Sequence, residues 1–389
     1  MLFLSFAMMV KNEGENLERC LSSVLPFSSE IVILDTGSTD NTVDIAKKFT
    51  DKIYHQKWQD DFSLHRNKSF SLANGEWIFQ LDADEELILD NQGTAQQFLD
   101  YLAQLPLTIH AVAFPLRDYR PSTKTYTAEF DAARCFRRGK VVYHRKIHNR
   151  PDFEGSITYF DKMYIKHYGY DLTEEQQKIK AKRTIGLLLK SIQEDPNDYE
   201  SHFYLCQAYK SMANDTEKSF IHGLKYLSMK DLIGKDFNMA IYHTLAAMYF
   251  EQEDMIQSAE MIKQGLAVNN KNPDLWFDTL KIAVKEKKMR TIATAAQNYI
   301  SCIRELRKIR TESLGGQFFF HTCSDSVASG LYYLSMCYFE NGVMELKNLK
   351  QILGFCTDKT RNEINARIDD DMKSMKLEDT SERRILIPV

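Results

Sequence analysis

The sequence predicts two domains of different fold class, an N-terminal α/β domain over residues 1–172 and an all-helical domain over residues 173–376, followed by a tail at 377–389. Two observations support this prediction. Up to about residue 115, short apolar runs alternate with helical patterns, whereas from about residue 174 almost every segment has helical periodicity. A length of 389 residues is also more than one domain usually holds.

The first 115 residues contain five apolar runs that we predict as strands. Runs such as IVILD are continuous rather than alternating, which is typical of parallel strands buried on both faces. We therefore expect a parallel sheet covered by helices. The predicted strands are 4–10, 31–35, 53–56, 77–82 and 110–115, and the predicted helices are 15–24, 39–49 with Ser38 as N-cap, 63–73 and 92–104.

Residues 116–170 lose this alternation. Short β-prone stretches rich in Arg, Tyr and His replace it, at 126–128, 133–136, 141–143 and 163–167. They either extend the sheet or form loops over a site.

The helical part contains a degenerate repeat. The pattern FYLCQAY at 203–209 returns at 242–249 and again at 332–338, and Pro196 and Pro273 stand where new helices would begin. Small residues between large aromatic residues suit stacked helical hairpins, so we predict an array similar to tetratricopeptide (TPR) repeats.

Composition excludes several classes of protein. A net charge of −4 gives no overall attraction to nucleic acid. No run reaches the length of a membrane span, and the apolar first ten residues lack the basic start of a signal peptide. The seven cysteines form no CxxC pair, so neither a disulfide framework nor a zinc site is expected. We expect a cytoplasmic protein without a transmembrane segment.

The run Asp82-Ala83-Asp84 follows the apolar segment WIFQL. Residues i and i+2 of an extended chain point the same way, so both carboxylates can serve one divalent cation at the carboxyl end of a strand. Oxygen ligands favour Mg²⁺ or Mn²⁺. The alternative is an acidic, solvated turn.

Two further strand ends carry acidic residues. Asp35 and Asp40 flank the turn after the second strand, and Glu13 follows the first strand. All three would reach the sheet edge of Asp82 and Asp84, where they could accept hydrogen bonds from a nucleoside. A turn role for Asp35 and a helix-dipole role for Asp40 are the alternatives. No GxGxxG turn or P-loop follows the first strand.

Three segments stand in a recognisable order: MVKNEGENLERCLSSV at 9–24, EIVILDTGSTDNTVDIA at 30–46 and GEWIFQLDADEEL at 75–87. Together they resemble the nucleotide-binding half of family 2 glycosyltransferases, which have a GT-A (Rossmann-like) fold. The segment WQDDFSLHRN and the stretches at 136–151 and 166–170 further resemble a subgroup with C-terminal helical repeats, the sublancin-type bacteriocin peptide S-glycosyltransferases.

The resemblance implies a role for each matching residue. Glu13 and Asp35 would bind the nucleoside of the donor, most often uridine. Arg66 would face the nucleotide or its diphosphate, where a planar cation suits oxyanions. Asp82 would lie near the ribose and the metal, and Asp84 would be the direct metal ligand.

His167 resembles a histidine that completes the metal or diphosphate site, and a packed or solvent-facing histidine is the alternative. One departure concerns the catalytic base, because relatives commonly have His-Glu where this chain has His148-Asn149. Asp152 and Glu154 lie close by and are candidates for that role, with His148 as a candidate for positioning the acceptor.

We therefore expect an inverting glycosyltransferase that moves a hexose from UDP-glucose or a related UDP-hexose to a Cys or Ser side chain of a peptide, such as a bacteriocin precursor. A thiol, with a pKa of about 8.5, needs little help from a base at neutral pH. The resemblance also implies a homodimer through the helical domain. Two alternatives stay open: an enzyme that builds surface polysaccharide or lipo-oligosaccharide, and a non-catalytic helical scaffold with a degenerate sugar-nucleotide domain.

Overall fold

The computed structural model describes residues 3–309, except 28, 170, 172, 212, 235 and 236, together with 326, 329–332, 356, 358 and 360–366. The predicted tail at 377–389 and most of the third copy of the repeat at 332–338 lie outside the described residues. The chain divides into two compact units, residues 1–241 and the described residues from Tyr242 onward. The sequence-predicted boundary at 172/173 stays a prediction.

The first unit is built around a mixed sheet to which nine strands contribute in the described part of the chain. The strands are β1 Leu4–Val10, β2 Glu30–Asp35, β3 Ile53–His55, β4 Trp77–Gln80, β5 Glu85–Leu89, β6 Ile109–Arg120, β7 Thr125–Arg137, β8 Val142–His144, β9 Arg150–Asp152, β10 Ser156–Tyr159 and β11 Met163–His167. Their order in the sheet is β3-β2-β1-β4-β7-β6-β11-β5, and β10 is also paired to β6. β8 and β9 form a separate hairpin.

The parallel pairing predicted for the early strands is confirmed for β1 to β4, but the sheet as a whole is mixed. β7 runs antiparallel to β4 and β6, and β5 runs antiparallel to β11. β5 was not predicted, because its sequence EELIL begins with two acidic residues that suit a turn. Its first four residues alternate between buried and half-buried, as expected for a strand with one face in the core.

Helices cover the sheet in the first unit. Helix α2 is shorter than predicted and begins after Asn41 rather than Ser38, because the Ser38 hydroxyl instead accepts a hydrogen bond from the Asn12 backbone N–H. The helices are α1 Leu17–Val24, α2 Thr42–Ala46, α3 Phe62–Leu72, α4 Thr94–Gln104, α5 Glu174–Glu194, α6 Tyr199–Ser211, α7 Thr216–Ser228 and α8 Lys230–Ile233.

An aromatic core holds the sheet against α4. Phe79 of β4 and Phe98 of α4 are fully buried, and both contact Phe114 of β6 with ring centroids 5.0 and 5.5 Å apart. Such aromatic pairs add to the free energy gained by burial alone. This packing fixes β4 and β6, and it therefore also fixes the strand ends that carry the polar residues.

From residue 240 onward the described helices are α9 Ala240–Glu251, α10 Met255–Val268, α11 Pro273–Lys285 and α12 Met289–Ile309. Pro273 begins α11, as predicted, after the N-cap Asn272. Gly265 allows close helix packing, since a Cβ there would lie 2.5 Å from Leu275 and 3.0 Å from Tyr242. The predicted class, a Rossmann-like GT-A domain followed by TPR-like helical repeats, is confirmed. None of the described helices is both long and apolar enough to cross a membrane.

Candidate active site

The loops after β1 and β2 are tied to each other by hydrogen bonds. The Asn12 side chain accepts from the Thr39 N–H at 2.7 Å, and Asp40 accepts from the Gly14 N–H at 3.0 Å. Asn12 itself has a φ of +56°, in the left-handed region. The two loops therefore present Glu13 and the Asp40 turn at one edge of the sheet.

Asp35 ends β2 and is 4% exposed. Its carboxylate accepts from the backbone N–H groups of Gly37 and Ser38 and contacts His55 Nδ1 at 3.1 Å. Burial raises its pKa, but the bonds from Ser38 and His55 outweigh that effect and lower it. Asp35 thus shapes the turn, as the alternative interpretation proposed, and its contact with a nucleoside stays a prediction.

Glu13 is half-buried and accepts a hydrogen bond from the Asn16 side chain at 3.1 Å. Burial raises its pKa to about 7, and the negative charges of Asp84, Asp82 and Asp40 act in the same direction. Glu13 therefore shares one electrostatic environment with the Asp82-Ala83-Asp84 run, as expected of residues at one sheet edge.

Asp82 is paired with two arginines. Its carboxylate accepts from Arg66 at 3.0 Å and lies 3.7 Å from Arg134. Burial alone would raise the pKa of Asp82, but the two guanidinium groups hold it below its usual value. Arg134 also binds Glu85, which is 1% exposed, at 2.6 Å. Arg66, expected to face the diphosphate, is thus held against Asp82 in a buried polar network.

Asp84 lies beside His167 instead. The distance from Asp84 Oδ2 to His167 Nε2 is 3.4 Å, and the other ring nitrogen of His167 is 2.7 Å from Asp118. Gly169 packs directly against this pair, since a Cβ there would overlap the Asp84 carboxylate and lie 2.6 Å from His167 Nε2. Only glycine fits at position 169, because any side chain there would collide with the pair.

These residues fit a divalent cation bound by two protein ligands. Carboxylate oxygen and imidazole nitrogen are both donors that Mn²⁺ accepts, and carboxylate suits Mg²⁺. Within the described ranges, no group of three or more His, Cys, Asp or Glu side chains is arranged to hold a metal by itself. A cation at Asp84 and His167 would therefore take its remaining ligands from a bound diphosphate and water.

The candidates for the catalytic base and for positioning the acceptor lie on and beside the β8–β9 hairpin. Asp152 is 3.5 Å from His144, and the backbone oxygen of Glu154 contacts the ring of His110. These contacts do not join either carboxylate to the Asp84–His167 pair. The side-chain nitrogen of Asn149 is buried without a hydrogen-bond partner among the described residues.

His148 belongs to the loop at 145–149, which is bound to α6. Its ring stacks on Tyr204 with centroids 3.7 Å apart and planes 10° from parallel. Arg145 in the same loop donates to both carboxylate oxygens of Asp198 at 2.8 and 3.1 Å. Arg145 and His148 have positive φ angles of 81° and 49°, a strained conformation that these contacts hold in place. The helical array therefore fixes the loop that carries His148.

Four residues near the site were not predicted: Arg134, Glu85, Asp118 and Lys180. Lys180 lies on α5 and donates to the backbone oxygen of Gly169 at 3.3 Å. Burial lowers its pKa, although the charges of Asp84 and Asp118 oppose that shift. Sequence spacing does not indicate Arg134, Asp118 or Lys180, because each reaches the site through long-range pairing or packing. Glu85 instead directly follows the Asp-Ala-Asp run and accepts from the Asp82 N–H.

The chain is similar in sequence to known glycosyltransferases. Residues 5–169 match the model for Glycosyl transferase family 2. The SPbeta prophage-derived glycosyltransferase SunS of Bacillus subtilis is 32% identical over 222 residues, which are 55% of this chain and 51% of that protein. An uncharacterized glycosyltransferase of Rickettsia conorii is 36% identical over 189 residues, 44% of this chain and 64% of that protein.

The helical part also has a relative. A TPR repeat-containing protein of Synechococcus elongatus is 27% identical over 315 residues, 78% of this chain and 66% of that protein. The part of the chain that matches the family 2 model is the N-terminal α/β domain, residues 5–169. A TPR-like helical array follows it, and the chain spans about half the length of SunS.

Among solved structures, Staphylococcus aureus TarS 1–349 aligns with a TM-score of 0.34 at 12% identity over 82% of this chain and 99% of that one. Glucosyl-3-phosphoglycerate synthase from Mycobacterium tuberculosis in complex with Mn²⁺ and UDP-glucose aligns with a TM-score of 0.25 at 20% identity over 30% of this chain and 44% of that one.

Proposed function

We propose that the protein is an inverting, metal-dependent glycosyltransferase that moves a hexose from a UDP-sugar, UDP-glucose or a close relative, to a Cys or Ser side chain of a peptide. The observation that carries this proposal is the Asp84–His167 pair, which lies with Glu13 at one sheet edge of a family 2 domain. This arrangement favours an enzyme over a non-catalytic scaffold.

Each residue at the edge has a separate task. Asp84 and His167 would hold Mg²⁺ or Mn²⁺, and a metal bound there offsets the negative charge that grows on the departing diphosphate. Glu13, Asp35 and Asp40 would contact the nucleoside. Asp82 lies too close to Arg66 and Arg134 to act mainly as a metal ligand. We therefore assign Asp82 to the ribose side of the site, where its ion pairs also hold the Asp-Ala-Asp segment in place.

In the reaction, the acceptor sulfur or oxygen forms a bond to the anomeric carbon as the bond from that carbon to the diphosphate oxygen breaks on the opposite face. The acceptor proton passes to a base or to solvent. Asp152 and Glu154 stay the candidates for that base, and His148 stays a candidate for positioning the acceptor. With Asn149 in place of the usual glutamate, a cysteine acceptor is favoured, because a thiol ionises more easily than a hydroxyl.

The helical array supports a peptide acceptor. Stacked helical hairpins form extended concave surfaces that suit peptides, and the array directly holds the 145–149 loop.

We also propose a homodimer through the helical array, which sedimentation analysis would detect. The five cysteines that the structure describes as free are buried thiols, in keeping with a reducing, cytoplasmic site of action.

The donor half of the proposal is tested by UDP release from UDP-hexose, with and without Mn²⁺. We expect slow, metal-dependent release by the unaltered protein, its loss on adding EDTA, and a loss of at least 100-fold in Asp84→Ala. Asp44 is an exposed carboxylate on α2 that pairs with Lys47. Asp44→Ala is therefore the matched control and should retain full activity. Equal activity of Asp84→Ala and Asp44→Ala would refute the metal assignment.

A further inference from the structure

Asp118 forms a pair with His167 but has no part in the reaction proposed above. The two residues are direct neighbours in the register of β6 and β11. The Asp118 carboxylate lies 2.7 Å from His167 Nδ1, and Asp118 is only 7% exposed. A buried carboxylate opposite an imidazole on the neighbouring strand fixes the plane of the ring.

This bond decides which nitrogen of His167 faces Asp84. With Nδ1 bound to Asp118, Nε2 is the nitrogen directed at Asp84 Oδ2, 3.4 Å away. A carboxylate that accepts from one ring nitrogen holds the histidine in the tautomer whose other nitrogen can bind a metal, and it makes that nitrogen a stronger ligand. The close approach of Gly169 keeps a side chain away from the same nitrogen.

We propose that Asp118 is a positioning residue for the divalent cation, acting only through His167. The inference rests on the proposed function, in which Asp84 and His167 bind that cation. Asp118 would touch neither the metal nor the donor. Its effect would be to hold Nε2 toward Asp84, so that the cation meets two ligands already in place.

The chain contains a matched pair for comparison. In the second unit, His243 Nδ1 lies 2.6 Å from Asp278, which is 2% exposed. This is the same chemistry, a buried carboxylate holding an imidazole, without an Asp-Ala-Asp run. Asp278→Asn therefore shows how much the loss of a buried Asp–His hydrogen bond away from the candidate metal site changes Mn²⁺ binding.

The test is the affinity for Mn²⁺ in the presence of UDP, measured by electron paramagnetic resonance titration of free Mn²⁺. We expect Asp118→Asn to weaken Mn²⁺ binding by about 10- to 100-fold, while Asp278→Asn stays within twofold of the unaltered protein. In the His167→Ala background, adding Asp118→Asn should change Mn²⁺ affinity by less than twofold, because Asp118 then has nothing to position. Thermal unfolding of all variants shows that they are folded.

Two results would overturn the inference. One is an Mn²⁺ affinity of Asp118→Asn within twofold of the unaltered protein. The other is an equal loss from Asp118→Asn with and without His167, which would mean that Asp118 acts independently of the histidine. If the unaltered protein binds no Mn²⁺ with UDP, the metal site of the proposed function fails, and the role of Asp118 fails with it.

Discussion

The two carboxylates of the Asp-Ala-Asp run have different partners. Asp82 is held by Arg66 and Arg134, whereas Asp84 faces His167. We therefore propose that Asp84 rather than Asp82 binds the cation, because Asp82 is already paired with two guanidinium groups. The alternation of an extended chain predicts that both residues share one sheet edge, but it does not predict this division of roles.

Partners of this kind could not be predicted from the sequence. Arg134 reaches Asp82 because β7 runs antiparallel to β4, and Asp118 reaches His167 because β6 and β11 are neighbours. Both pairings join residues about 50 positions apart. The acidic residues at the strand ends could be predicted, because their positions follow from local strand patterns alone.

Glu30 shows a buried charge used for stability rather than for chemistry. It lies at the amino-terminal end of β2, opposite the candidate site, and its carboxylate binds Ser5, Lys52 and Asn74. Burial alone would raise its pKa, but hydrogen bonds from Asn74, Lys52 and Ser5 lower it to about 2. One side chain therefore ties together the starts of β1, β2, β3 and β4.

We predict a pH-dependent loss of stability in Glu30→Gln. Because the pKa of Glu30 is lower in the folded protein than the ordinary value of 4.5, its contribution is fully present above about pH 5 and disappears as pH falls toward 2. Urea denaturation should show a difference in unfolding free energy of at most about 3 kcal/mol at pH 7. A difference that stays constant from pH 7 to pH 3 would contradict this assignment.

At the scale of elements, the order of strands and helices in the first third follows from the sequence, while two features do not. The strand β5 begins with Glu85 and Glu86, which resemble a turn, and it forms because its partner β11 is supplied by residues about 80 positions later. The long β6–β7 hairpin was predicted only as short stretches, since Arg and Tyr side chains interrupt its apolar pattern.

The 145–149 loop, which carries the candidate acceptor-positioning residue His148, is attached to α6. Ile147 is buried in a cluster with Leu188 of α5 and Leu205 of α6, and Arg145 binds Asp198. A helical domain that only bound partners would not need to fix this loop. We infer that α5 and α6 set the position of His148 for the acceptor.

If α5 and α6 position His148, loss of a contact between the 145–149 loop and these helices should reduce modification of the acceptor but leave binding of the donor nucleotide unchanged. Arg145→Met should release the strained loop and lower peptide glycosylation at least tenfold, while UDP binding in the presence of Mn²⁺ changes less than twofold. Lys146→Met, which removes a more exposed contact with Glu194, is the control and should leave both unchanged. Titration calorimetry with UDP and a peptide-modification assay measure the two effects. A parallel loss of UDP binding in Arg145→Met would instead indicate general damage to the domain.

For the whole molecule, the first compact unit contains both the α/β domain and the helices α5–α8, so these parts form one body rather than two independent ones. The sequence distinguishes the α/β and helical segments by their periodicity. It does not show that the first helices complete the α/β unit, because contacts such as Arg145 with Asp198 join segments without local pattern.

The measurement we would make is intact-mass spectrometry of small Cys- and Ser-containing peptides incubated with the protein, a UDP-hexose and Mn²⁺. We predict a mass gain of one or more hexoses that requires the metal and is lost in Asp84→Ala, with the sugar on cysteine in preference to serine. A mass gain that persists without metal and in Asp84→Ala would contradict the assigned site. UDP release without modification of any peptide would contradict the peptide acceptor.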